Sequence, residues 1–225
     1  MSAYHLDAKL AQQIVARTMQ IIDSNVNVMD GRGRIIGSGD DQRLGELHEG
    51  ALLSISQERI VDIDEGVARH LHGVRPGINL PLRIDGQIVG VIGLTGNPSQ
   101  LRQYGELVCM TAEMMLEQAR LLHMLAQDSR LREELVLNLI RVDELSPALM
   151  EWAQRLGIDL NRPRVAAVVE VDSGQLGVDS AMAELQQLQT LLTTPERDNL
   201  IAIVSLTEMV VLKPALNSYD RWDPD

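Results

Sequence analysis

Hydrophobic and polar positions follow two different periods along this chain, and the change falls near Asn97. Before it, apart from one helical opening, short apolar runs alternate and break at Gly, Asn and Asp. After it, apolar residues recur three and four apart, as on a helix. The opening reads as an amphipathic helix over residues 4–23, with Leu6, Leu10, Ile14, Thr18, Ile21 and Ile22 at helical spacing. Val26–Met29 then reads as a strand, Asp30-Gly31-Arg32-Gly33 as a turn and Arg34–Ser38 as the returning strand. Residues 43–56 predict a short helix with Leu44, Leu47 and Leu52 on one side, weakened by Gly45 and Gly50. Arg59–Ile63 is a third short strand, followed by a loop or helical turn over 64–72.

The stretch Gly73 to Asn97, GVRPGINLPLRIDGQIVGVIGLTGN, organises this first part. Two apolar runs flank Asp85-Gly86, a pair suited to a two-residue turn whose central positions both need positive φ. A register carried straight from that turn sets Ile84 against Gln87, Leu82 against Val89, Leu80 against Val91 and Ile78 against Gly93. One face then holds Ile78, Leu80, Leu82, Val89 and Val91; the other holds Asn79, Pro81, Arg83, Ile88, Gly90, Ile92 and Leu94. The second strand is apolar on both faces and is expected to be central and covered on both sides. Pro81 places the first strand nearer an edge or a bulge.

Asn97 predicts a helix N-cap with Pro98 at the first helical position. No helix breaker other than Gly105 follows before Pro147. One apolar stripe runs through Leu101, Tyr104, Val108, Thr111, Met115, Leu122 and Leu125, and a second through Leu107, Met110, Met114, Leu121, Leu131 and Leu135. A helix of ~40 residues is ~60 Å long. It cannot bury two stripes on a small sheet, so a partner helix is expected. The alternative is two ordinary helices broken near Asp128-Ser129. Beyond it come a short helix at 147–160 stopped by Gly157, a boundary at Asn161-Arg162-Pro163, a strand Val165–Val171, a helix near 180–192, and strands around Leu200–Val204 and Met209–Leu212. This reads as the start of a second α/β domain that stops too early to close a sheet, so the chain is expected to be a piece of something longer.

Aromatic residues are scarce, with no Phe, two Trp and three Tyr, so Leu, Ile, Val and Met must fill the core. The net charge of −12 argues against nucleic-acid binding by this chain, because phosphate contact needs a basic face. A single cysteine, Cys109, forbids an internal disulfide and fits a reducing compartment. The N-terminus lacks an apolar signal core, and no run approaches ~18 apolar residues. A soluble, cytoplasmic protein is expected.

Against this acidic background, Gly66 to Arg83 contains no Asp or Glu but holds Arg69, His70, His72, Arg75 and Arg83. A local positive field suits a small anion, and Arg pairs with carboxylate through two hydrogen bonds. The plain alternative is a set of solvated loop charges pairing with Asp62, Asp64 and Glu65. Arg75 stands out because Pro76-Gly77 stiffens the strand entry and Gly77 lets backbone amides face a ligand. A second cluster is Ser38-Gly39-Asp40 followed by Arg43-Leu44-Gly45-Glu46-Leu47-His48. It places His48 and Arg43 near the start of a helix, where free amides attract an anion; its alternative is a packing histidine. Catalysis has weak support: there is no G-x-S-x-G, Walker loop or H-E-x-x-H, Cys109 reads as inert core, and no cofactor or metal site is indicated.

The segments 25–51 (NVNVMDGRGRIIGSGDDQRLGELHEGA), 73–98 (GVRPGINLPLRIDGQIVGVIGLTGNP) and 104–118 (YGELVCMTAEMMLEQ) resemble the sugar diacid recognition domain at the N-terminus of carbohydrate diacid regulators. That likeness implies a transcriptional activator of galactarate, glucarate or glycerate use. It implies a PAS-like sensor, a middle domain similar to a degenerate GGDEF module, and a C-terminal DNA-binding helix-turn-helix missing here. No GGDEF sequence is present, so cyclase activity is not implied.

The combined expectation is an α+β chain. A PAS-like sensor with an antiparallel sheet and flanking helices spans 1–125, a helical connector 126–160, and an incomplete, degenerate GGDEF-like α/β domain 161–225. The sensor would hold a small hydroxy acid among Ser38, Arg43, His48, Arg75, Gly77, Asn79 and Thr95. Signals would pass along the helix from residue 98, in a homodimer joined through 4–23 and 98–141. Two rivals remain: a dimerisation scaffold with a vestigial pocket, and an enzyme acting on a sugar acid.

Overall fold

The computed structural model describes residues 6–172, 177–193, 198–216 and 221–222. The start of the first predicted helix and most of the tail from Asn217 lie outside the described residues. The chain divides into two compact units, Met1–Leu122 and His123–Asp225. Both carry antiparallel sheets with helices, an α+β arrangement. No helix among the described residues is long and apolar enough to cross a membrane.

The first unit holds α1 (Ala8–Met19), β1 (Val26–Asp30), β2 (Ile35–Ser38), α2 (Glu49–Gln57), β3 (Val61–Ile63), α3 (Glu65–Ala68), β4 (Gly77–Ile84), β5 (Gln87–Thr95) and the first part of α4 (Pro98–Leu139). The five strands lie in the order β2-β1-β5-β4-β3, antiparallel throughout. β5 is central, as its two apolar faces require. β3 pairs only with Gly77–Asn79, so Pro81 sits where β4 has no neighbour on that side. Its missing amide therefore breaks no ladder.

Asp85 and Gly86 both have positive φ, at 49° and 78°, and form the expected tight turn. The register beyond it corrects the prediction. Arg83 pairs with Ile88, but Leu82 pairs with Gly90, so Val89 is an extra residue in a β-bulge. Every later pair moves by one: Leu80 faces Ile92 and Asn79 faces Gly93. Ile78, Leu80, Leu82, Ile92 and Leu94 thus share one core with Val26 and Val28, under α1 and α4. Met29, Ile35 and Val91 pack on the opposite side with Ala51 of α2.

The helix predicted over 43–56 is shorter and starts later. A 3-10 turn covers Asp41–Arg43, and α2 begins at Glu49. Gly45 has φ 84°, and the segment after it pairs with β2: Ile35 N donates to Glu46 O and His48 N to Gly33 O, at 3.0 and 2.9 Å. Those backbone bonds outcompete a helix that two glycines already weaken.

Helix α4 runs unbroken through Asp128-Ser129, against the alternative of two helices. Asn97 Oδ1 accepts from Ser99 N at 3.0 Å, which caps its start. Its sheet-facing side is Leu101, Gly105, Val108, Cys109, Ala112, Met115, Leu116 and Ala119. Gly105 lies so close that a Cβ there would be 2.3 Å from Ile78 Cδ1. Of the first predicted stripe Leu101, Val108 and Met115 meet the sheet, whereas its Tyr104, Leu122 and Leu125, and Leu107, Met110, Met114 and Leu121 of the second, are exposed.

The second unit contains the end of α4, α5 (Pro147–Arg155), β6 (Arg164–Glu170), α6 (Val178–Leu192), β7 (Leu200–Ile203) and β8 (Glu208–Pro214). Its sheet order is β6-β8-β7. Leu185 of α6 packs with Ile201, Met209 and Val211, while Leu135, Val136, Leu149 and Ala153 gather with Leu200 and Ala202.

Candidate functional site

The bulge at Val89 aligns one polar row across the α2-covered face of the first sheet. Ser38 pairs with Asn27, Asn27 with Gly93, Gly93 with Asn79, and Asn79 with Val61. Directly paired residues project to the same face. Ser38, Asn27 and Asn79 are all buried. Ser38 Oγ donates to Asn27 Oδ1 at 2.6 Å and accepts from Asp40 N at 3.0 Å. Asn79 Oδ1 is buried and has no hydrogen-bond partner among the described residues. It leans over the space that Gly93 leaves, where a Cβ would lie 3.1 Å from it.

Helix α2 brings its first turn onto this row. A Cβ at Gly50 would lie 2.9 Å from Asn79 Nδ2 and 3.1 Å from His48 Cε1, so only glycine lets the helix come this near. His48 is the N-cap, and its Nδ1 accepts from Ala51 N at 3.1 Å. Nδ1 as acceptor leaves the proton of the neutral ring on Nε2. Burial and then the Arg43 charge lower the His48 pKa to about 4, so the ring is neutral at pH 7. The amides of Glu49 and Gly50 in this first turn have no partner among the described residues. They lie at the positive end of the helix dipole.

Arg43 closes the 3-10 turn and is 6% exposed. Its Nη2 donates to Gly73 O, and Nε stands 3.6 Å from Glu46 Oε2. Nη1 is buried with no partner among the described residues. A buried guanidinium N–H without an acceptor is costly, since its lost hydration goes unreplaced. An incoming carboxylate oxygen would satisfy it.

Residues 69–76 are tied over this region by three contacts. They are Arg43 to Gly73 O, His72 N to Glu49 Oε2 at 2.8 Å, and Arg75 Nη2 to Asp40 Oδ2 at 3.4 Å. The two predicted clusters thereby part company. Arg43 and His48 point inward, while Arg69, His70, His72 and Arg75 are exposed. The Arg75 side chain is 55% exposed. Gly77 is the first residue of β4, opposite Thr95. A Cβ on it would lie 2.0 Å from Leu94 O, so close strand approach already demands glycine there. Thr95 lines an open cleft of about 670 Å³ with Asp64, Glu65, Gly66, Pro76, Gly96, Asn97 and Pro98. That cleft carries two carboxylates and no cation, which opposes an acid.

Ser38, Arg43, His48 and Asn79 are thus drawn to one sheet face and its covering helix, with Gly77 and Thr95 one row along and Arg75 at the surface. Sequence reasoning missed Asn27, Gly50, Gly73 and Gly93. Asn27 had a signal, a lone polar residue alternating within Val26–Met29. Gly93 had one too, a side-chain-free position inside an apolar strand that calls for a close neighbour, but which groups Gly50, Gly73 and Gly93 meet is set by residues distant in sequence. No group of three or more His, Cys, Asp or Glu among the described residues could hold a metal ion.

The family profile for sugar diacid recognition matches residues 6–139, and that for a GGDEF-like domain matches 141–222. The carbohydrate diacid regulator of Escherichia coli (strain K12) is 79% identical over 225 residues, covering 100% of this chain and 58% of the relative. An uncharacterized protein of Haemophilus influenzae is 39% identical over 95% of this chain and 56% of its own length. The uncharacterized protein YsfB of Bacillus subtilis is 32% identical over 73% of this chain and 45% of its own. The chain therefore spans about half the length of the curated relatives it matches.

Proposed function

The chain belongs to the sugar diacid recognition family, and from that premise we propose that it is the ligand-sensing portion of a transcriptional activator, not an enzyme. In this reading a galactarate, glucarate or glycerate molecule binds between the polar row and the first turn of α2. The ligand's carboxylate meets Arg43 and the Glu49 and Gly50 amides. Its hydroxyls meet Asn79, His48 and Ser38, while Gly77 and Thr95, one row along, lie outside the contact. Arg75, released from Asp40, closes on the outer end. The first unit is PAS-like, and the three-part division at 125 and 160 describes sensor, connector and GGDEF-like domain. DNA is reached through a C-terminal helix-turn-helix outside this chain, in a cytoplasmic homodimer.

The single observation carrying this reading is Arg43 Nη1, a buried cationic donor with no acceptor among the described residues. Binding would pull on the 69–76 loop and hence on β4, against which Leu101 and Gly105 of α4 pack. Such a ligand shifts an equilibrium only by its differential affinity for the two states; a tenfold preference gives about 1.4 kcal/mol.

Titration calorimetry with each of the three acids tests the site. Arg43→Gln should weaken binding on the order of 10- to 100-fold, the range of a charge-assisted hydrogen bond. Arg75→Ala should weaken it less, since its side chain is solvated. Unchanged affinity in Arg43→Gln, with circular dichroism confirming the fold, removes the site. The scaffold reading is favoured by one observation: Ala51 and Ser54 of α2 are fully buried, so the helix sits tightly on the sheet. No heat and no thermal shift with any hydroxy acid would decide for it.

A further inference from the structure

Helix α4 has two sides with different fates. Leu101, Gly105, Cys109, Ala112, Leu116 and Ala119 meet the first sheet. On the opposite side, Tyr104, Leu107, Thr111, Met114, Gln118, Leu121 and Leu125 follow one another at intervals of three, four, three, four, three and four. That is a heptad seam. All seven are exposed, Leu125 at 68%. Met110 and Met124 flank the seam and are exposed as well. From Leu121 to Gln127 the helix is exposed all round, yet it carries Leu121, Leu122, Met124 and Leu125 and no Asp, Glu, Lys or Arg. A bare helix of this composition in water is unfavourable.

We propose that the Tyr104–Leu125 seam of α4 binds the same seam of a second copy as a parallel, in-register two-stranded coiled coil. This specifies the homodimer of the reading above and sets aside α1 as its interface: Leu10, Ala11, Ile14 and Val15 of α1 are buried in their own unit's core. Two features select a second copy. First, this chain carries a net charge of −12, so two copies repel except where charge is absent, and the seam is free of it. Second, the polar seam positions are self-complementary in parallel. Gln118 faces Gln118 of the partner, and an amide pair both donates and accepts. Thr111 faces Thr111, whose Oγ1 is already satisfied by its own Leu107 O at 2.8 Å. An antiparallel pairing centred on the seam would set Gln118 against Thr111, whose hydroxyl proton already goes to Leu107 O, so the Gln118 carbonyl would find no donor there. Five of the seam residues with Met110 and Met124 offer on the order of 500 Å² of apolar surface per copy, on the order of 1,000 Å² for the pair, enough for a specific interface.

Cross-linking and sedimentation on the whole protein test this. In a Cys109→Ser background, Leu121→Cys should oxidise to a covalent dimer, while His123→Cys, on the sheet-side azimuth, should not. Leu107→Glu with Leu121→Glu should raise the dimer dissociation constant at least about 100-fold with helicity retained. A monomeric wild-type protein, or equal cross-linking at 121 and 123, overturns the seam. Calorimetry on the same samples separates the two readings: acid binding by a monomer sinks the seam and leaves the sensor standing, and a cross-linked dimer that binds no acid does the reverse.

Discussion

Arg43 and His48 show how a charge and a neutral ring coexist in one buried corner. His48 caps α2 with Nδ1, a role only the neutral ring can play, and the adjacent guanidinium reinforces that neutrality. Its pKa lies near 4 in the folded chain and near the ordinary 6.5 when unfolded. The unfolded chain therefore takes up the proton first, and stability falls as pH drops from 6.5 towards 4. The full loss is about 3 kcal/mol. His48→Asn keeps a capping oxygen but cannot titrate. Chemical denaturation at pH 7 and pH 4.5 should show the wild type losing more stability than this variant; equal losses would mean that His48 titrates normally. Of these two residues the sequence disclosed the chemical type and the nearness to a helix start. It did not disclose their burial, since Gly73, which receives Arg43, lies thirty positions away. Arg75 carried the stronger local signal and proved the more exposed.

Among the elements, the β4–β5 hairpin decides the site. Its turn was legible because Asp85-Gly86 answers a demand confined to two residues. Its register was not: Val89 is apolar like its neighbours, and nothing in the residue itself marks it as the bulge. Only the cores on the two faces of the sheet choose between registers, since a shift by one exchanges the faces. The shift places Asn79 opposite Gly93 and so makes the polar row. Deleting Val89 should then remove the bulge and leave every later pair intact, costing about 1–2 kcal/mol for one half-buried side chain. Deleting Val91, by contrast, should exchange the faces of everything beyond it and unfold the first unit. Thermal melts of the two deletions compare these outcomes, and equal damage would argue against the bulge. Helix α4 shows a similar division. Its length was legible from spacing and the Asn97-Pro98 start, but which stripe meets the sheet was settled by where Gly105 permits contact.

At the scale of the molecule, a ligand held in the first unit should stabilise that unit and leave the other to itself. At 100 times its Kd an acid adds about 2.7 kcal/mol to unfolding. Hydrogen exchange should show the gain in residues 6–122 and least in β6–β8; protection concentrated in the second unit would place the site elsewhere. Heptad spacing, turn chemistry, helix caps and the acidic balance were determined by the sequence itself, because each depends on residues within one or two turns of one another, or simply on their count. The tertiary structure alone decided which arginine is buried, which glycines make room for α2 and β5, and which side of α4 is left uncovered. Those outcomes rest on contacts between segments tens of residues apart, where packing selects among several locally acceptable arrangements.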